Sequence, residues 1–160
     1  MFKKLLLFLV VALVVIQFFH PEKNIHSGTS SNDITKVIAV PEEIGKILKT
    51  SCYDCHSNNT VYPWYASVQP VAWWLNNHIK EGKREVNFDE FANYSIRRQY
   101  KKLEEINEQV KEDEMPLSSY TLIHKDAVLS KEQKLSIATW ASAAMDNLKT
   151  RYPADSFIKK

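Results

Sequence analysis

Glycine and proline are scarce in this sequence, at three and six residues in 160, too few for the tight turns that an all-β chain needs every roughly 8–12 residues. Long stretches of helix-forming residues take their place, so the expected class is all-α. An excess of one charge is also missing. With 21 basic and 19 acidic side chains the formal net charge is +2, and no overall field is present that would gather nucleic acid. Nucleic acid is therefore not an expected partner. Cysteine is nearly absent: two residues, Cys52 and Cys55, which excludes a zinc site built on two cysteine pairs.

What is present is enough apolar material, 44% of residues, for one small domain and not comfortably for two. The chain divides by composition. Lys3 and Lys4 precede an apolar run from Leu5 to Phe19 interrupted only by Gln17. Fifteen residues of helix rise roughly 22 Å, short of a hydrocarbon core of about 30 Å, so a cleaved signal segment competes with an anchor. No small-residue cleavage site follows the run. Residues 1–20 are accordingly expected to be a transmembrane anchor. The paired lysines would leave the N-terminus in the cytoplasm and the rest on the periplasmic side of an inner membrane. Residues 21–40, polar and without periodicity, read as a flexible tether. Residues 41–150 would form the domain, and 151–160 a tail.

Helix signals are spread through that domain. Pro41 with Glu42 and Glu43 marks a first turn leading through Ile44, Ile47 and Leu48 to Cys52. Pro70 opens a second helix, with Val71, Trp74, Leu75 and His78 on one face and Gly82 as a stop. Asn87 begins a longer helical pattern with a break near Ser95. Ser130 with Gln133 forms a capping-box pattern ahead of the stripe Ile137, Trp140, Ala141, Ala144 and Leu148. The aromatic loop from Ser57 to Gln69, with Tyr62, Trp64 and Tyr65, is expected to line a crevice or the core together with Trp73 and Trp74.

The chemistry-bearing feature is Cys52-Tyr53-Asp54-Cys55-His56, the C-x-x-C-H spacing of c-type haem attachment. Two thiols three residues apart on one turn reach two vinyl groups, and the next imidazole comes beneath the iron. His56 is the expected proximal ligand, with its other ring N–H fixed by a carbonyl. A plain disulfide, a zinc half-site and a thioredoxin-like thiol oxidoreductase are the competing readings; the last expects a βαβ context that a helical chain lacks. For the second iron ligand, Met115 is favoured. Pro116 biases it out of helical geometry, so its thioether can project from a loop, although methionine often only fills a core gap. His78 is the alternative distal ligand, and His124 a weaker one.

Residues 41 to 145 resemble the bacterial haem-binding domain family related to cytochromes c. The resemblance runs from Cys52–His56 through Ser57-Asn58-Asn59-Thr60, Tyr62-Pro63-Trp64-Tyr65, Pro70, Trp73-Trp74 and His78 to Gly82. It continues through Asn87-Phe88, Met115-Pro116-Leu117, Tyr120, His124, Leu129-Ser130 and Trp140. It implies a helical cytochrome c-like fold behind the N-terminal transmembrane helix. It also implies one covalent haem c on Cys52 and Cys55, with His56 proximal and Met115 distal. The expected function is that of a membrane-anchored, extracytoplasmic electron carrier, more an electron carrier than an enzyme, serving redox partner proteins of a respiratory or periplasmic chain. A peroxidase-like enzyme and a haem-based sensor are the alternatives.

Overall fold

The computed structural model describes residues 1–26 and 28–159. Ser27, within the expected tether, and Lys160, at the end of the expected tail, lie outside the described residues. Every element among the described residues is helical. The α-helices are α1 Phe2–Ile16, α2 Glu42–Ser51, α3 Tyr53–His56, α4 Val71–Glu85, α5 Ile96–Lys111, α6 Ser118–Thr121 and α7 Lys131–Arg151, joined by short 3-10 turns.

Local chemistry explains where the main helices begin. Ser95 accepts a hydrogen bond from the Arg98 amide and starts α5. Ser130 and Gln133 form a reciprocal capping box at the head of α7. The buried face of α7 carries Ile137, Trp140, Ala141, Ala144 and Leu148. Helix α5 packs alongside α7, with Leu103 fully buried. Phe88 and Phe91, on the turn Phe88–Asn93, close this core at 1% and 0% exposure.

The N-terminal segment differs from expectation. Helix α1 is only 15 residues long, and no helix among the described residues is long and apolar enough to cross a membrane. The helix stops at Ile16, and the rest of the apolar run docks on the domain. The Gln69 amide donates to Gln17 Oε1 at 2.9 Å, Gln69 Nε2 donates to Phe19 O at 2.7 Å, and His20 Nε2 donates to Ser67 O at 3.0 Å. The transmembrane helix behind the fold class, the anchor at residues 1–20 and the inner membrane as a partner are therefore corrected. The inner-membrane, periplasmic-side location that rested on them is corrected with them.

Two further segments pack where loose chain was expected. Ile34 and Ile38, inside the expected tether, are buried at 0% and 4% exposure, and Trp140 Nε1 donates to Ala39 O at 2.9 Å. Asn24 holds the Ser57 carbonyl and the Thr60 hydroxyl. In the expected tail, Phe157 meets Tyr100 edge to face at 5.4 Å. Helix α4 also runs past Gly82 to Glu85, and the reason for a glycine there lies in the site.

Candidate functional site

The cysteines are placed by a single tight turn. The amides of Cys55 and His56 both donate to Cys52 O, at 3.2 and 3.0 Å, and this one turn of α3 with its N-cap brings the two cysteines and the imidazole to one cavity. This turn lies hard against α4. A Cβ on Gly82 would sit 2.7 Å from Cys55 O and 3.1 Å from Cys55 Cβ, so glycine is needed here for close approach, not to end a helix. That contact outweighs the cost of about 1 kcal/mol for glycine inside a helix.

The same close packing fixes the His56 ring. Its Nδ1 lies 2.9 Å from Gly82 O and 3.0 Å from Val86 O. Carbonyl oxygens only accept, so Nδ1 carries the proton and Nε2 keeps its lone pair. Burial pushes the pKa of His56 below the ordinary 6.5, against the opposing pull of the Val86 and Gly82 carbonyls, which favours the neutral ring.

A cavity of about 620 Å³ opens in front of this turn, within the range of about 300–1,000 Å³ usual for cofactor sites. Cys52, Cys55 and His56 line it together with Met115. Its apolar walls include Val86, Phe88, Ile106, Val110 and Leu117. Residues 63 positions apart in sequence, Cys52 and Met115, thus face one space. The Met115 segment hangs from α5, since the amides of Glu114 and Met115 both donate to Gln109 O.

His78 lines the cavity as well, with Nδ1 donating to Trp74 O at 2.9 Å and Nε2 left free. His124 is not among the lining residues. Its Nε2 is hydrogen-bonded to the Tyr65 hydroxyl at 2.5 Å and its ring stacks on Tyr120 at 4.2 Å. None of Tyr62, Trp64, Tyr65, Trp73 and Trp74 lines the cavity; Tyr62 packs instead on the small core of Ala66, Leu75 and Ile79, as the alternative expectation had it, while Trp64 is 82% exposed. Lys102 was missed altogether. It lines the cavity and bridges Glu85 and Glu105. On a charge-rich helix face nothing in the sequence distinguishes it.

The thiols are poor nucleophiles as they stand. Burial, with the neighbouring thiol, pushes Cys52 up to about 12, and burial with Asp54 pushes Cys55 up to about 11; neither is in a disulfide. Reactive cysteines are tuned in the opposite direction, so a thiol oxidoreductase gains no support. Nor does zinc, because among the described residues no group of three or more His, Cys, Asp or Glu side chains is placed to hold a metal ion. Two adjacent thiols, a half-buried neutral imidazole with a free Nε2, a thioether and apolar walls form a donor set that fits a covalently held haem.

A comparison with protein families matches residues 11–143 to the haem-binding domain family. No curated protein and no solved structure matches the chain. No relative therefore supports the redox partners of a respiratory or periplasmic chain expected from the sequence, and that expectation is withdrawn. The cofactor is one haem c, given by the family match together with the Cys52-x-x-Cys55-His56 spacing.

Proposed function

The chain belongs to the haem-binding domain family, and from that premise we propose that it is a one-electron carrier in which Cys52 and Cys55 hold the haem, His56 is the proximal ligand and Met115 the distal ligand. The haem supplies a one-electron iron couple. Everything else is the work of the chain. Cys52 and Cys55 present their sulfurs from one turn, and the Gly82 and Val86 carbonyls hold the His56 ring so that Nε2 points away from them. Val86, Phe88, Ile106, Val110 and Leu117 exclude water from the space between.

One observation carries the reading: a single cavity is lined both by the His56 turn and by Met115, which comes from a different segment. The choice of Met115 over His78 is supported by the position of α4. His78 sits one turn before Gly82 on the same helix that holds the His56 ring, whereas Met115 comes from the separate connection between α5 and α6. A ligand on each side leaves no open position for substrate and favours electron transfer over catalysis.

Absorption spectra of matured protein test this. The oxidised protein is expected to be low-spin, with a sulfur-to-iron charge-transfer band that Met115→Ala abolishes and His78→Ala leaves in place. Met115→Ala should also lower the reduction potential, because the soft thioether favours reduced iron. If His78→Ala turns the protein high-spin while Met115→Ala does nothing, the distal ligand is His78. A high-spin unmutated protein that turns over peroxide would replace the electron carrier with a peroxidase-like enzyme.

A further inference from the structure

Asp54 lies between the two cysteines, and its side chain is committed to a distant segment. The Tyr120 hydroxyl donates to Asp54 Oδ2 at 2.8 Å, while Asp54 Oδ1 accepts from the Val61 amide at 3.0 Å. Thr60 Oγ1 also donates to the Asp54 backbone carbonyl at 2.6 Å, so both the side chain and the main chain of Asp54 are held. Burial and the Asp54 carboxylate raise the Tyr120 pKa, so the hydroxyl keeps its proton and stays a donor.

Tyr120 belongs to α6, a few residues after Met115, and it lines the cavity together with Met115 and Leu117. The amides of Tyr120 and Thr121 both donate to Leu117 O, which makes Leu117 to Thr121 one rigid turn. The segment carrying Met115 is therefore suspended at two points. Gln109 O on α5 holds its beginning, and the Tyr120–Asp54 bond pins its end to the attachment turn. The stacked His124, bonded to Tyr65, backs the Tyr120 ring.

We propose that Tyr120 is a positioning residue: its hydrogen bond to Asp54 is a latch that closes the Met115 segment over the cavity and sets how readily the Met115 sulfur yields its place. The latch rests on Met115 being the distal ligand. A hydrogen bond to a carboxylate is worth more than a neutral one, and its loss shifts a closed-to-open equilibrium by about tenfold or more. Tyr120→Phe removes the hydroxyl and keeps the ring that stacks on His124.

Imidazole added to the oxidised holoprotein competes with the sulfur, and the titration is followed by absorbance. Tyr120→Phe should bind imidazole about tenfold more tightly than the unmutated protein, with the charge-transfer band still visible before imidazole is added. Asp54→Asn should shift affinity in the same direction, and the double variant should add little to either single one, as expected for two ends of one bond. Ser130→Ala, a cap lesion outside the cavity lining, should leave imidazole affinity unchanged, which separates a latch from general destabilisation. If Met115→Ala removes the band but Tyr120→Phe and Asp54→Asn bind imidazole as the unmutated protein does, the latch is overturned and the ligand assignment stands. A band that is absent from the unmutated protein, or insensitive to Met115→Ala, overturns both.

Discussion

The two sides of Phe88 are built on opposite plans. On one side, the core shared by α5 and α7 is closed by protein atoms alone: Phe91, Leu103, Ile137 and Leu148 are buried at 0%, 0%, 0% and 1% exposure. On the other, Val86, Phe88 and Val110 turn equally apolar surface toward a cavity of about 620 Å³. Some residues serve both, since Phe88, Val86 and Val110 belong to the core cluster and to the cavity wall. The filled half is a frame for the half that the cofactor completes. Apolar walls are complete only when something equally apolar fills them.

Substitutions can break this contrast, and the deepest should act on the filled side. Phe91→Ala should lower stability by about 3–5 kcal/mol in chemical denaturation, with the spectrum of the surviving folded holoprotein unchanged. Gly82→Ala comes next, at about 1–3 kcal/mol, because the new Cβ must displace Cys55 backbone. Unlike the first, it should also reduce the haem carried per chain, measured as the ratio of pyridine haemochrome to protein. Ser130→Ala should cost about 1 kcal/mol through its lost cap and leave haem content and spectrum alone. At the bottom of the scale, Lys46–Glu42 is an i,i+4 pair with side chains 71% and 82% exposed. Glu42→Gln should lower the unfolding free energy by no more than about 0.5 kcal/mol, and less in high salt.

The order of effects mirrors what a sequence can reveal. Features written within one turn or one helix were legible: the Cys52–His56 spacing, the Ser130–Gln133 box and the Ile137 to Leu148 stripe all depend on neighbours a few residues away. Features made by distant contact were not. Ile34 and Ile38 sit in a polar, aperiodic stretch that reads as tether, and nothing nearby shows that Trp140 will bond to Ala39 from the far end of the chain. Gly82 carries no mark of the Cys55 backbone beside it, and a glycine near a helix end is read most simply as a stop. Asp54 gives no hint of Tyr120. The apolar run from Leu5 to Phe19 misled for the opposite reason: its composition is membrane-like over a length that is not, and Gln17 and His20 find partners on the domain.

The grip on His56 has an electronic side. Gly82 O belongs to the last turn of α4, where the aligned peptide dipoles leave a partial negative charge of about half a unit, and Val86 O lies on the extended residue that follows the helix. An imidazole N–H pointed into that charge gives up some of its proton and becomes a stronger donor at its other nitrogen. Were His56 the proximal ligand and Met115 the distal one, as proposed, α4 would bias the iron toward its more positive oxidation state and the thioether toward the lower one. The reduction potential would then be a balance between a helix terminus and a thioether. Lengthening or fraying the last turn of α4 would retune that balance without altering a single ligand.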